Sequence, residues 1–165
     1  GLEAAERAVH EGMRVNMTLC FTEEQAAAVY AATKGAKKGD VFVSPFVGRL
    51  DDRGERGMDL IENIVKLYES SDGHVEVLTA SIRSLLHQEQ ALSLKSDILT
   101  TPLKILKEWK EADFSAVPSV PEADLAPIPF KEILLDKPWR EYDIHHDLTD
   151  KGIERFAADW NALIA

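Results

Sequence analysis

Polar side chains lie at the ends of three apolar stretches of this sequence. Asn16 and Thr18 alternate with apolar residues in the first stretch, Ser44 precedes Arg49 in the second, and Ser81-Ile82-Arg83 ends the third. Each stretch has the pattern of a β-strand followed by a helix-like segment. Parallel α/β barrels place their functional side chains at such strand ends. The hydroxyl, amide and guanidinium groups therefore predict a site that hydrogen-bonds a polar ligand and binds an anion.

The third stretch is the best candidate for holding the anion. Arg83 offers a planar fork of donors suited to phosphate oxygens, and the free N–H groups of the helix that follows add a positive potential. The second strand end continues into a charged loop, where Asp51 and Asp52 offer Arg49 an ion pair. We therefore expect Arg83 to be the stronger anion ligand, because these two carboxylates compete for Arg49.

Other polar residues have simpler interpretations. Asn16 and Thr18 lie two apart on one strand, so both point to one face; the pattern alone favours polar residues that bond each other or a water. Cys20 is the only cysteine, which excludes an internal disulfide and indicates a buried small residue. His145 and His146 are adjacent and point to opposite faces of an extended backbone, so they cannot easily chelate one ion. We expect no metal site and no cofactor.

Hydrophobic periodicity indicates the elements that position these residues. It predicts four strands alternating with helices of about ten residues, which implies a parallel sheet with right-handed crossovers. Residues 112–147 lose this periodicity and contain five prolines, and we interpret them as an ordered excursion packed on the outside of the barrel. Residues 149–164 predict an amphipathic closing helix. The predicted strands cover residues 15–19, 41–46, 75–80 and 97–101, and the predicted helices residues 2–11, 22–34, 58–69, 84–95 and 102–110.

Composition limits the class of protein. The 165 residues, 45% of them hydrophobic, suffice for one domain with a core but fall short of the roughly 250 residues of a full eight-unit barrel. A net charge of −10 argues against a nucleic-acid partner. The sequence has no signal peptide and no apolar run approaching the roughly 20 residues of a membrane span, so we expect a cytoplasmic protein with no membrane partner.

Four segments closely resemble the transaldolase family of Schiff-base sugar-phosphate aldolases, in order over nearly the whole chain. They are Val15–Leu19, Ser44-Pro45-Phe46-Val47-Gly48-Arg49, Ala80–Arg83 and Leu148–Phe156. The resemblance implies the C-terminal portion of a (β/α)8 TIM barrel, an α/β fold with about four parallel strands, flanking helices and a C-terminal amphipathic helix. It also implies a single partial barrel domain over residues 1–165.

The resemblance assigns roles to individual residues. Thr18 corresponds to the threonine that positions the water assisting Schiff-base formation and hydrolysis, and Asn16 belongs to the same catalytic segment. The substrate-binding candidates are Ser44, which would hydrogen-bond the substrate, Phe46, which would form an apolar wall, and Arg49, Ser81 and Arg83, which would bind the phosphate.

The resemblance also implies what this chain lacks. The family's imine-forming lysine, with a glutamate and an aspartate, would lie on strands that precede Gly1. Lys34, Lys37 and Lys38 fall near a predicted helix end and Lys104 and Lys107 inside a helix, so none is a plausible substitute. We therefore expect part of a transaldolase that transfers a dihydroxyacetone unit between phosphorylated sugars of the pentose phosphate pathway, with this segment alone inactive.

Two alternatives remain open from the sequence. A fructose-6-phosphate aldolase would use the same lysine chemistry, and a non-catalytic half-barrel would only bind sugar phosphates. The residues of two motifs, Ser44–Arg49 and Leu148–Phe156, favour the transaldolase. In each case four strands leave two unpaired sheet edges and one uncovered inner face, so we expect the isolated chain to be aggregated, molten or a homo-oligomer such as a dimer.

Overall fold

Four parallel strands form the centre of the fold. The computed structural model describes residues 1–115 and 125–164. In these residues the strands are β1 (Val15–Cys20), β2 (Val41–Pro45), β3 (Val75–Thr79) and β4 (Ile98–Leu99). The helices are α1 (Leu2–His10), α2 (Glu23–Ala32), α3 (Val47–Asp51), α4 (Gly57–Tyr68), α5 (Leu85–Ser93), α6 (Leu103–Glu111) and α7 (Asp147–Ile164), with a 3-10 helix at Trp139–Glu141.

The order of the strands in the sheet is their order in the chain, β1-β2-β3-β4. Each strand is parallel to its neighbours. Its register places Asn16 opposite Phe42, which in turn lies opposite Glu76. Consecutive parallel strands with intervening helices are the arrangement that right-handed crossovers produce. The predicted α/β class is therefore confirmed, and four such units are consistent with part of a TIM barrel.

The two faces of the sheet differ in burial. The face formed by Val41, Val43 and Val77 is buried in one hydrophobic cluster with Ile61 and Ile64 of α4. Burying each such side chain stabilises the fold by about 1.5–3 kcal/mol. On the opposite face Asn16 and Thr18 are exposed, whereas Phe42, Glu76 and Leu78 are half-buried. The predicted polar strand face is thus the open one.

Helix α3 forms where the sequence predicted a charged loop. The chain leaving β2 is held by the end of β3, because Val47 N donates to Ala80 O at 3.1 Å and Gly48 N donates to Ser81 O at 3.2 Å. A Cβ on Gly48 would lie 2.5 Å from Ser81 O, so only glycine permits this approach. These tertiary contacts, which the local sequence does not reveal, fix the start of the turn.

Residues 125–142 lie across the outer helices. Ala126 N donates to Gly54 O at 2.7 Å, and Asn63 Nδ2 of α4 donates to Ile128 O at 3.0 Å. Lys131 N donates to Glu23 Oε1 at 3.0 Å, and burial raises the pKa of that carboxyl. Residues 116–124 of the predicted excursion, with Pro118 and Pro121, lie outside the described residues.

Helix α7 leaves its apolar side chains open to solvent. Trp160 is 63% exposed and Leu163 81% exposed. Across residues 1–115 and 125–164, every helix is too short or too polar to cross a bilayer.

Candidate active site

Asn16 and Ser44 meet on the open face of the sheet. Ser44 Oγ donates to Asn16 Oδ1 at 2.6 Å, which joins β1 to β2. Ser44 is buried and Asn16 exposed, while Thr18 points to the same face as Asn16. The structure therefore brings the predicted amide and serine hydroxyl into contact. The partner of Asn16 is Ser44 and not Thr18.

One predicted site residue and one neighbour of a predicted site residue, neither of them glycine, have left-handed backbones. Leu19, which follows Thr18, has a φ of 58°, and Ser81 has a φ of 61°. This region is sparsely populated for side chains with a Cβ and is enriched at functional sites. The carbonyl of each residue is fixed: Leu19 O accepts from Thr149 Oγ1 at 2.9 Å, and Ser81 O accepts from Gly48 N. The predicted role of the Ser81 hydroxyl stays a prediction.

Arg49 and Arg83 line one cleft. The cleft has a volume of about 330 Å³, and its cationic wall also includes Arg53, Lys151 and Arg155. Gly48 makes the juxtaposition possible, because a Cβ there would lie 2.6 Å from Arg83 Nε. The motif that contains Arg49 and the motif that contains Arg83 are thus neighbours in space, as an anion site built from both arginines requires.

Arg83 and Arg49 have different partners from those predicted. Asp52 forms an ion pair with Arg83, not with Arg49. The Arg49 guanidinium carbon lies 5.2 Å from the centre of the Phe46 ring and 5.9 Å from that of Phe156. The expectation that carboxylates compete for Arg49 is therefore wrong. Asp52 competes with an anion for Arg83 instead. Phe46 supports Arg49 by a cation–π contact.

Asp51 is engaged on the other side of α3. Its Oδ1 accepts from Gly57 N at 2.9 Å, and its Oδ2 lies 2.7 Å from His87 Nε2. Burial alone would raise the pKa of Asp51, but these hydrogen bonds and the charge of Arg83 hold that pKa below its usual range. His87 lies in the first turn of α5, four residues after Arg83. The contact between Asp51 and His87 therefore links α3 to the start of α5.

Helix α7 is attached to the end of β1 through Thr149. Thr149 Oγ1 accepts from Gln25 Nε2 at 2.8 Å while donating to Leu19 O. Gly152 is buried against Leu19, where a Cβ would lie 2.7 Å from Leu19 Cδ2. An ion pair between Asp147 and Arg53 adds a link at the helix start. These contacts place the first turns of α7 beside the cleft.

Sequence reasoning missed the basic residues of α7. Lys151 and Arg155 stand four residues apart, a spacing that places both on one helical face. That spacing was visible in the fourth motif, but nothing in the sequence showed which surface the face would meet.

Cys20 has the environment expected of a small buried residue. Cys20 is buried, and burial raises the pKa of its thiol to about 12. A small cavity beside it is lined by Thr18, Gln25 and Thr149. Within the described parts of the chain, no three His, Cys, Asp or Glu side chains come together as a set that could hold a metal ion.

Comparisons with known proteins agree on one family. The profile of the transaldolase/fructose-6-phosphate aldolase family matches residues 1–165. A probable transaldolase of Brucella ovis is 36% identical over 160 residues, which cover 97% of this chain and 55% of that protein. A probable transaldolase of Dehalococcoides mccartyi is 37% identical over 163 residues, which cover 99% of this chain and 57% of that protein. The chain spans about half the length of the curated relatives it matches.

Proposed function

Since this chain belongs to the transaldolase/fructose-6-phosphate aldolase family, as the sequence resemblance predicted, we propose that it supplies the phosphate-binding part of a transaldolase. The complete enzyme would transfer a dihydroxyacetone unit between sugar phosphates of the pentose phosphate pathway. The observation that carries this proposal is the cleft in which Arg49 and Arg83 come together across the contact between Gly48 and Ser81.

The two arginines would bind the substrate phosphate in different ways. Arg83 presents a planar fork, and the phosphate takes the place of Asp52 on it. Arg49 is held over the Phe46 ring, which orients its guanidinium before any ligand arrives. Fixing the phosphate would hold the sugar carbons in one position relative to the strand ends.

The open strand face would handle the reacting carbons. Asn16 fixes the rotation of the Ser44 hydroxyl, so that the serine oxygen presents its lone pairs to a substrate hydroxyl. Thr18 lies exposed on the same face, where its hydroxyl would position the water that assists imine formation and hydrolysis.

The imine-forming lysine is a separate part of the proposal. None of the four described strands contains a lysine. Imine chemistry needs an amine in a desolvated position, which lowers its pKa. We therefore assign the lysine to the part of the relatives' length that this chain does not span, and expect no imine on this segment alone.

A fructose-6-phosphate aldolase is the second candidate, because the matching family includes both activities. The two enzymes would share the phosphate cleft and differ in the acceptor. The motif Ser44-Pro45-Phe46-Val47-Gly48-Arg49 favours the transaldolase.

Replacing Arg83 in the complete enzyme tests the proposal. Arg83→Ala removes a hydrogen-bonded charge contact, worth on the order of 2–4 kcal/mol. We expect kcat/KM for fructose 6-phosphate to fall at least about tenfold, with a much smaller loss for unphosphorylated fructose. The control is Arg14→Ala, which removes an exposed arginine paired with Asp40 at 3.7 Å. Equal losses on both sugars would mean that Arg83 supports the fold and does not bind the phosphate.

A further inference from the structure

One face of α7 forms a wall of the anion cleft. The residues of this face are Leu148, Lys151, Gly152 and Arg155, and all four line the cleft. Their spacing of three, four and seven residues is that of a single helical stripe. In a chain with a net charge of −10, the described residues that line this cavity thus include four arginines, one lysine and one acid, Asp52.

We propose that Arg155 is a further phosphate-binding residue, which makes α7 a specificity-determining element of the site. This inference rests on the proposed function, because it assigns a third guanidinium to the phosphate that Arg49 and Arg83 hold. The ligand is a phosphate monoester dianion. Three guanidinium groups from three separate segments of the chain surround such a group more completely than those of Arg49 and Arg83 alone.

The position of Arg155 is fixed by the contacts that the first turns of α7 make with the end of β1. Thr149 and Gly152 hold the first turns of the helix against Leu19. Arg155 follows Gly152 by three residues, so it lies about one turn beyond these contacts and on the same face of the helix. Phe156, the next residue, reaches the Arg49 guanidinium. The helix is therefore in contact with the arginine that the proposed function already assigns to the phosphate.

The present partner of Arg155 is easily displaced. Its Nε lies 3.8 Å from Asp159 Oδ2, and its side chain is 73% exposed. Exposed pairs one helical turn apart contribute little to stability. Lys151 is more firmly engaged, at 3.3 Å from Asp147. Of the two α7 cations, Arg155 is thus the one that can leave its partner and bind a ligand with the smaller loss of free energy.

Titration of the full-length protein with inorganic phosphate tests this role. We expect Arg155→Gln, which keeps most of the side-chain stem, to weaken phosphate binding about fivefold, and Arg155→Lys to recover part of the loss. The matched control is Arg7→Ala: Arg7 also lies on a helix, is 84% exposed, and pairs one turn away with Glu11 at 3.7 Å. This control should bind phosphate as the unchanged protein does.

Kinetics separate a binding role from a structural one. Arg155→Gln should raise KM for fructose 6-phosphate about fivefold and leave kcat and the values for unphosphorylated fructose unchanged. Normal phosphate binding by Arg155→Gln, with a large loss in Arg83→Ala, would overturn this inference and leave the proposed function intact. Failure of the unchanged protein to bind phosphate would overturn both. Equal weakening in Arg155→Gln and Arg7→Ala would indicate a general charge effect and would also overturn the inference.

Discussion

Helices α4 and α7 both carry an apolar stripe, yet they are held in opposite ways. In α4 the side chains of Leu60, Ile61 and Ile64 have no exposed surface. In α7 the side chains of Trp160 and Leu163 are mostly exposed. Residues 128–130 lie against α4 from outside, whereas α7 meets the rest of the molecule mainly at the end of β1.

The two helices differ in the kind of contact that holds them. Helix α4 is held by apolar burial, which is strong and insensitive to direction. Helix α7 is held over its first turns by directional contacts, namely the hydrogen bonds of Thr149, the ion pair of Asp147 and the close fit of Gly152. Directional contacts set the position of a helix accurately without much buried area. That is what the proposed role of α7 as a wall of a phosphate-binding cleft requires.

The largest expected effect comes from shortening a buried side chain of α4. Ile61→Ala should lower the free energy of unfolding by about 2–5 kcal/mol, because a cavity replaces packed atoms. Ile164→Ala, the same change at a 65% exposed position of α7, should cost less than about 0.5 kcal/mol. Urea denaturation of both variants measures the contrast. Similar losses in the two variants would show that the α7 stripe is covered in solution.

A smaller effect is expected where α7 fits against Leu19. Gly152→Ala places a methyl group 2.7 Å from Leu19 Cδ2, so the side chain or the helix must shift, at a cost of about 1–3 kcal/mol. Shortening the neighbour removes the clash, so the same change in a Leu19→Ala background should cost much less. A double-mutant cycle by thermal unfolding measures this coupling. Additive losses would contradict the close fit.

The smallest effect is a pH dependence at the start of α7. Burial and the charge of Arg53 hold the pKa of His146 below its ordinary value of 6.5, against the opposing carboxylates of Asp147, Glu55 and Asp150. The folded protein therefore keeps this ring neutral, and its Nδ1 accepts from Leu148 N at 3.3 Å.

Unfolding lets His146 take up a proton, so the sign of the effect is fixed. Its contribution to stability is complete above pH 6.5 and is lost as the pH falls from 6.5 through the lower folded pKa. Unfolding free energies of the unchanged protein and of His146→Gln, measured from pH 8 to pH 5, give the comparison. A slope that persists unchanged in the variant would assign it to other groups.

Much of the fold could be predicted, because local patterns carry it. Strand β1 follows from the alternation of apolar and polar residues, and β2 follows from a short run that is apolar on both faces. The start of α2 follows from a capping signal: Thr22 Oγ1 accepts from Gln25 N at 3.1 Å. For the candidate site, the sequence pointed to Asn16 and Ser44, which the structure brings into contact, and to Arg49 and Arg83, which line one cleft. Matching the family profile over residues 1–165 confirms the resemblance that the motifs carried.

The partners within the site could not be predicted, because they depend on tertiary contacts. Asp51 and Asp52 both follow Arg49 in the sequence, but the helical backbone of α3 rotates successive side chains by about 100°. Asp51 therefore faces His87 and Asp52 faces Arg83. The same limit applies to Arg155, whose helical face is visible in the sequence but whose neighbouring surface is not.

The cationic cleft sits in a strongly acidic chain, and this has a consequence for how fast an anion arrives. Beyond the Debye length of about 8 Å at physiological ionic strength, an anion encounters little field from the protein. At low ionic strength the net charge of −10 extends further and repels the same ligand. Adding salt removes this distant repulsion before it weakens the short-range attraction of the arginines. Association of an anion with the cleft of this chain should therefore be fastest at intermediate ionic strength, in contrast to proteins that attract their ligands from afar.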